Sequence, residues 1–402
     1  MTDIAAPSAS STDEPPRAPD APPQGARRRS GVLLALGSLA VSLLVAEAGL
    51  RLLHPLADPY GALKQVPTFS GSPYVPSAYP PHYHLRVRAE PGLPGIDRRW
   101  RRFTLNNLGL RGDSIATPKP AGEFRIFVVG GSTTECIFLD DREALTARLQ
   151  AYLRLAMPGV DVRVYGAGKS GDRSWDHVAM MAHRIAHLQP DVVVVFAGIN
   201  DVMAGVAGRD YLLRAEQRPL ERGAVWKMAL SELQLGRLVH AALARPSYRE
   251  AGLESTYRQS MRFASRLPER PLPRRPDPAP YAENLASLAG MARAQGARVV
   301  LMTQATTWNT SDPRSRAWHW MQDVHGRYPE ADLDAVMGRY NDAMRAVGAA
   351  QGVPVFGLDR VLPKTADYIY DDVHFNVRGA DTAARLLATF MVEQRMVHAP
   401  DR

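Results

Sequence analysis

The sequence predicts an α/β fold with a mainly parallel five-stranded sheet, and two observations lead to this prediction. From about residue 120 onward, apolar strand-like runs alternate with segments of helical periodicity. Strands that alternate with helices pair in parallel, and the helices then cover both faces of the sheet. The predicted strands span 124–129, 161–165, 191–196, 297–303 and 353–358, and the predicted helices span about 141–156, 174–188, 281–295, 332–351 and 378–395.

The N-terminal part of the chain is predicted to be a disordered cytoplasmic tail followed by a membrane-spanning helix. Residues 1–30 are rich in Pro, Ala, Ser and Asp, and they end in an arginine cluster. The apolar run over 32–50 has 19 residues, close to the roughly 20 needed to cross a bilayer. Arginines before a single span stay in the cytoplasm, so we expect a single-pass anchor at 31–53 and a catalytic domain outside the cytoplasm. The alternative is a cleaved signal peptide, because Ala46-Glu47-Ala48 fits the A-x-A pattern.

Residues 54–120 are predicted to be a stalk, or an extension that wraps the surface of the domain. They contain many Pro, Tyr and His residues and show no lasting periodicity, except for a strand-like run at 103–112 that closes in an Asn/Gly turn. The catalytic domain is expected at 121–398. Two insertions, at about 203–280 and 306–330, are placed where strand-end loops cover a site, and the second carries three tryptophans, Trp308, Trp318 and Trp320.

Composition allows a sizeable core and argues against some partners. Apolar residues make up 45% of the 402-residue chain, and the net charge of +8 comes largely from dispersed arginines. A nucleic-acid-binding protein more often carries a continuous basic stripe, so we predict no nucleic-acid partner. The single cysteine, Cys136, excludes an intrachain disulfide, and we expect a small buried hydrophobic residue rather than a reactive thiol.

Three short motifs carry the chemistry. Gly-Gly-Ser-Thr at 130–133 and Gly-Ile-Asn-Asp at 198–201 each follow a predicted strand, and Asp-Asp-Val-His at 371–374 precedes the last helix. The carboxyl ends of parallel strands line one crevice, so these residues can converge. A serine, an amide and an Asp/His pair would supply a nucleophile, an oxyanion donor and an oriented base. Taken singly, Ser132 also fits a helix N-cap, and the other two motifs fit common turns.

Taken together and in this order, the motifs resemble those of the SGNH hydrolases, also called GDSL-type esterases. The first family block, Gly-Asp-Ser, is similar to 130–132, with Gly131 in place of Asp. The second, Asn-x-Gly-x-x-Gly, is similar to 166–171, with Gly166 in place of Asn. The blocks Gly-x-Asn-Asp and Asp-x-x-His are met in full by 198–201 and 371–374, and the resemblance covers about 124–395.

The resemblance implies a three-layer flavodoxin-like fold and a set of site roles. Ser132 would be the nucleophile, and His374 the base oriented by Asp371. Gly168 and Asn200 would form the oxyanion hole together with the Ser132 N–H. Asp372, next to Asp371, is the alternative orienter, although the Asp-x-x-His spacing favours Asp371. The two departures from the family pattern are expected to alter how the Ser132 turn and the second-block loop are braced.

These expectations describe a serine esterase that forms an acyl-enzyme on Ser132. Its substrate would be an acyl ester, with O-acyl groups on envelope glycans or lipids suggested by the exported location. Two alternatives remain open: an O-acyltransferase that uses the same residues, and a non-catalytic envelope or glycan-binding protein on the same scaffold. We predict no cofactor, because no phosphate-binding loop or nucleotide fingerprint occurs. We also predict no metal, since His183 and His187 have helical i, i+4 spacing but no evident third ligand.

Overall fold

The protein folds around a parallel sheet of five strands. A computed structural model describes residues 24–56, 75, 78–89, 91–206, 226, 229–243, 269–272, 275–321 and 328–397. In chain order, the strands are β1 His84–Val87, β2 Arg101–Thr104, β3 Glu123–Gly130, β4 Asp161–Gly168, β5 Val192–Phe196, β6 Arg298–Met302 and β7 Val355–Phe356. The sheet order is β4–β3–β5–β6–β7, with every neighbouring pair parallel. This is the flavodoxin-like order, so the predicted fold class is confirmed.

Helices cover both faces of the sheet, which gives three layers. Successive residues of a strand point to opposite faces, so Ile126 and Val128 of β3 join one apolar core while Phe127 and Val129 join the other. The first core is closed by the helices Leu145–Ala156 and Val377–Glu393, and the second by Ser174–His183, Ala279–Ala294 and Glu330–Gln351. The predicted helix at 174–188 is interrupted, because it ends at His183 and a separate 3₁₀ turn follows at Ile185–Leu188.

Two short helices follow the strands that carry the motifs. Ser132–Glu135 follows β3, and Ile199–Val206 follows β5. The second of these helices takes up the first residues assigned to the insertion at 203–280. Most of that insertion lies outside the described residues, as do residues 322–327 of the insertion at 306–330.

The N-terminal extension is part of the folded domain where the structure describes it. β1 and β2 form an antiparallel ribbon, with Leu85 opposite Phe103. Phe103 is fully buried in the first core, together with Leu93 and Ile96. The extension therefore wraps the domain over 78–120. The predicted strand starts earlier than expected, at Arg101, and the predicted Asn/Gly turn follows it.

The chain begins its described part with a long helix, Gln24–Leu53. Its segment Gly31–Leu53 has 23 residues and a mean hydropathy of 2.0, and no residue of its most apolar 18-residue window is buried in the protein. By length and composition this segment is a candidate membrane span, a test that a signal sequence also passes. The arginine cluster at 27–29 lies on this helix, so the predicted disordered tail is too long by at least seven residues at its C-terminal end. Residues 1–23 lie outside the described residues.

Candidate active site

Ser132, His374 and Asp371 meet at the carboxyl end of the sheet. His374 Nε2 lies 2.8 Å from Ser132 Oγ, and His374 Nδ1 lies 2.7 Å from Asp371 Oδ2. Ser132 opens the short helix after β3, while the other two residues lie on the loop before the last helix. β3 and β5 are neighbours at the point where the strand order reverses, which is where open α/β sheets bind ligands.

The two glycines before Ser132 allow a close approach of backbone and side chains. A Cβ on Gly130 would lie 2.2 Å from Thr134 Oγ1 and 2.4 Å from Phe196 O. A Cβ on Gly131 would lie 2.7 Å from Asn200 Nδ2. Larger residues would push these groups apart, so the Gly-Gly pair lets β3 turn directly into the helix that presents Ser132.

Asp371 is placed to orient His374. It is fully buried, and its Oδ1 accepts the backbone N–H groups of Val373 and His374 at 2.9 and 2.8 Å. The carboxylate accepts the Nδ1–H of His374, which leaves the Nε2 lone pair facing the Ser132 hydroxyl. Burial lowers the pKa of His374, but the charge and hydrogen bond of Asp371 outweigh this effect, and the pKa is raised overall.

Asp372 makes no such contact, and it holds the loop of the second insertion instead. Its Oδ1 accepts Trp308 Nε1–H at 2.7 Å, and its Oδ2 accepts the backbone N–H of Trp320 at 2.8 Å and of Met321 at 3.2 Å. Burial and the charge of Asp371 raise its pKa. Of the two adjacent aspartates, the structure therefore places Asp371 against the imidazole.

The second insertion also reaches Asp371 directly. Trp320 donates its Nε1–H to Asp371 Oδ2 at 3.0 Å, the same oxygen that faces His374. Trp308 is fully buried. The indole N–H groups of Trp308 and Trp320 therefore turn inward to the aspartate pair.

A second histidine lies behind this pair. The Thr307 hydroxyl donates to Asp371 O at 2.5 Å, so it accepts from His319 Nε2, 2.9 Å away. His319 Nδ1 lies 2.7 Å from Glu330 Oε1, a carboxylate acceptor. Both ring nitrogens therefore face oxygen acceptors, an arrangement that favours the protonated ring beside two buried aspartates. Burial lowers the pKa of His319, but the hydrogen bond to Glu330 and the aspartate charges raise it overall.

The side-chain amide of Asn200 lies beside the Ser132 turn. Its Nδ2 donates to Asp172 O at 2.8 Å, on the loop after β4. The following residue, Asp201, is fully buried and accepts the hydroxyl of Ser174 at 2.6 Å and its backbone N–H at 3.1 Å. The Asn-Asp pair thus presents one side chain to the crevice and uses the other to fix the start of the helix Ser174–His183.

The backbone of Gly168 points away from this crevice. Gly168 pairs with Gly130 in the β3–β4 register, and the N–H of Lys169 donates to Gly130 O at 3.2 Å. N–H groups of successive strand residues face opposite edges, so the N–H of Gly168 faces away from β3 and from Ser132. This orientation argues against the expected oxyanion role of Gly168.

Gly171 is the better placed glycine of the same block. It is exposed, has a φ of +84°, and a Cβ there would meet nothing within 4 Å. It directly precedes Asp172, whose carbonyl contacts Asn200. The sequence did not single out Gly171, because the block holds three glycines. Spacing alone does not tell which of their backbone N–H groups faces the crevice beside Ser132.

Glu135 braces the loop that carries Gly171. This buried carboxylate accepts the backbone N–H of Ser170 at 3.3 Å, and it also accepts the hydroxyls of Ser170 and Tyr79. Tyr79 belongs to the N-terminal extension, so the extension contacts the short helix that carries Ser132. The loop expected to loosen with Gly166 in place of Asn therefore has a brace of its own.

Residues 128–382 match the GDSL-like Lipase/Acylhydrolase family. The chain belongs to this family, which confirms the predicted family and the enzyme class, an ester hydrolase. Esterase TesA of Pseudomonas aeruginosa is 38% identical over 82 residues, which are 20% of this chain and 40% of that esterase. Among solved structures, a GDSL-like lipase from Bacteroides thetaiotaomicron is 15% identical, with a TM-score of 0.39 over 70% of this chain and 93% of that one. A lipase/acylhydrolase from Enterococcus faecalis is 17% identical, with a TM-score of 0.39 over 69% of this chain and 100% of that one.

Proposed function

We propose that the protein is a membrane-anchored serine esterase that works through an acyl-enzyme on Ser132. The observation that carries the proposal is the continuous contact from Ser132 Oγ to His374 and on to Asp371, at 2.8 and 2.7 Å. A serine hydroxyl becomes a nucleophile when an adjacent base removes its proton and a third group orients the base.

The reaction proceeds in two halves. His374 Nε2 takes the Ser132 proton as Oγ attacks the ester carbonyl, and the same proton then passes to the alcohol oxygen as the C–O bond breaks. Water next attacks the acyl-enzyme and gives a proton to His374. His374 returns this proton to Ser132 Oγ as the acyl C–O bond breaks, which releases the acid and restores the free serine. Asp371 stabilises the imidazolium that forms in each half.

The oxyanion of each tetrahedral intermediate is assigned to three donors: the backbone N–H groups of Ser132 and Gly171, and Asn200 Nδ2. Asn200 and the Gly171 loop are held together by the contact of Asn200 with Asp172 O. Donors fixed before the reaction stabilise the developing charge without reorganisation.

The N-terminal helix is assigned as a retained anchor with the catalytic domain outside the cytoplasm. Glu47 near its C-terminal end accepts the backbone N–H groups of Gln234 and Leu235 at 2.9 and 2.8 Å, at the start of the helix Gln234–Leu243. Cleavage after Ala48 would remove this cap, which favours an anchor over a signal peptide. An exported location supports an O-acylated envelope glycan or lipid as the substrate.

Hydrolysis is favoured over acyl transfer because of the insertion tryptophans. An acyltransferase needs an acceptor site that excludes water, but the indole N–H groups of Trp308 and Trp320 donate to Asp372 and Asp371 instead. The non-catalytic alternative is disfavoured by the contacts of Ser132, His374 and Asp371, which a binding protein does not require.

The test is hydrolysis of p-nitrophenyl esters, from acetate to octanoate, by the full chain in detergent micelles. Turnover that is lost in Ser132→Ala and His374→Ala supports the esterase, and its dependence on chain length measures the acyl pocket. Turnover retained in Ser132→Ala would exclude the proposed nucleophile. Folded protein without turnover on any ester would favour the binding-protein alternative.

A further inference from the structure

The ribbon β1–β2 has one apolar face and one basic face. Val87 and Phe103 point inward and are buried. Residues two apart on a strand share a face, so the outer face carries His84 and Arg86 on β1, opposite Thr104 and Arg102 on β2. Both arginines are exposed. The outer face is therefore a concentrated cationic surface.

The arrangement on this face is not what strand pairing alone favours. Arg86 lies directly opposite Arg102, and like charges directly opposite one another destabilise an antiparallel pair. The neighbouring Arg101, on the inner face, is neutralised by Glu143 at 3.0 Å. On the outer face the charge of Arg102 faces Asp140, whose pKa it helps to lower, and the arrangement of charges there still places Arg86 directly opposite Arg102.

Trp100 completes the surface. It is 55% exposed, and the guanidinium carbons of Arg86 and Arg88 lie 5.5 and 5.8 Å from its ring centroid. The Nε of Arg88 is buried without a hydrogen-bond partner. Stacking on an indole holds a guanidinium in place while its N–H groups stay available to a ligand.

The outer face of the ribbon and Trp100 line an open cavity of about 540 Å³, within the range of roughly 300–1,000 Å³ that is usual for small-molecule sites. Its wall includes His84, Arg86, Trp100 and Arg102, and one carboxylate, Asp140. The backbone N–H of Arg102 donates to Asp140 Oδ2 at 3.0 Å, which fixes this acceptor in the wall. A ligand here meets several cationic donors and a single anionic acceptor.

We propose that this cavity binds a uronate-bearing segment of an acidic glycan. Guanidinium groups match carboxylates in a bidentate geometry, and Asp140 can accept the hydroxyl groups of a sugar. A surface for phosphate groups alone would have no use for that acceptor. The concave shape, rather than a flat basic stripe, fits one or a few sugar rings.

The site gives the proposed esterase a substrate class. Asp140 lies on the loop that follows the helix carrying Ser132, so a glycan held here runs beside the same loop. The identification of this glycan as the O-acylated substrate rests on the proposed function, whereas the binding itself does not.

The experiment is isothermal titration of the full chain in detergent micelles with tri-galacturonate, and with maltotriose as a neutral trisaccharide. Arg86→Gln and Arg102→Gln each remove one guanidinium from the cavity, and Arg142→Gln is the matched control, an exposed arginine outside its lining. Loss of a hydrogen bond to a charged group corresponds to at least about a tenfold rise in Kd. We expect that rise in both cavity variants, no change in the control, and weaker binding of maltotriose.

Several results would overturn the site: equal binding of the two sugars, wild-type binding by both cavity variants, or no binding of tri-galacturonate to folded protein. Equally tight, Arg86-dependent binding of inorganic phosphate, anionic vesicles or an oligonucleotide would reduce it to a general anion surface. Hydrolysis of p-nitrophenyl acetate by the same samples separates the two proposals. Hydrolysis without uronate binding refutes this site alone, and uronate binding without hydrolysis refutes only the esterase.

Discussion

Trp320→Phe removes one hydrogen bond to Asp371 and keeps an aromatic ring in the insertion. The indole N–H lies 3.0 Å from Asp371 Oδ2, and a hydrogen bond to a charged group contributes about 1.5–3 kcal/mol. Three donors remain on this carboxylate, from His374 Nδ1 and the backbone of Val373 and His374. Without this donor Asp371 is held less firmly, and His374 is then less well aligned with Ser132. We expect this misalignment to outweigh the added charge on Asp371 and to lower kcat by about 10-fold, with KM nearly unchanged because Trp320 acts through Asp371.

The pH profile separates this positioning role from general damage. Without the indole donor, more of the negative charge of Asp371 acts on His374, which stabilises the imidazolium and raises the pKa of His374. Each 1.4 kcal/mol, approximately, moves a pKa by about one unit. Because only the neutral imidazole accepts the Ser132 proton, the acid limb of kcat/KM should move to higher pH by up to about one unit.

The assay is steady-state hydrolysis of p-nitrophenyl acetate across the neutral pH range, with thermal melting to establish folding. Trp318→Phe is the matched control, the same substitution two residues away in the same insertion. If Trp320→Phe keeps the wild-type kcat and its acid limb does not move, the indole does not act on His374 through Asp371. Equal losses in both variants would show that the insertion responds to any change of tryptophan.

Three further predictions follow from the same geometry. Asn200→Ala should lower kcat by about 10²–10³ with little effect on KM, measured by steady-state kinetics, since it removes one oxyanion donor. Because the pKa of His374 is raised above 6.5, kcat/KM should fall as the pH drops through a value above 6.5, and an acid limb below 6.5 would contradict this. Asp372→Asn should lower the free energy of unfolding by about 1–3 kcal/mol, measured in urea. An amide has one acceptor oxygen instead of two, so some of the buried N–H groups that donate to Asp372 lose their acceptor. Its kcat should fall less than that of Asp371→Asn, and the reverse order would exchange the two roles.

The parallel sheet was predictable because its signal is local. β5 is an unbroken apolar run, and both faces of β3 and β5 are buried. The one polar side chain in the middle of β3, Arg125, is paired with Glu123. The motifs that follow these strands converge because parallel strands end at one edge. The convergence of Ser132, Asn200 and His374 could therefore be predicted from sequence.

The parts that sequence reasoning missed depend on long-range contacts or on local backbone direction. The contact of Trp320 with Asp371 joins an insertion without periodicity to a loop 51 residues away. The choice between Gly168 and Gly171 depends on the direction of the backbone N–H groups at the end of β4 and in the loop after it, and composition carries no such information. The ribbon β1–β2 has only four residues in each strand, too few for a lasting alternation.

The most direct test of the central claim is to locate the covalent intermediate. The full chain is treated with a fluorophosphonate probe, digested, and mapped by peptide mass spectrometry, with Ser132→Ala and Cys136→Ala alongside. We expect one modified peptide, with the label on Ser132, that is lost in Ser132→Ala and retained in Cys136→Ala. Labelling of another residue, or labelling that persists in folded Ser132→Ala, would contradict the assignment of Ser132 as the nucleophile.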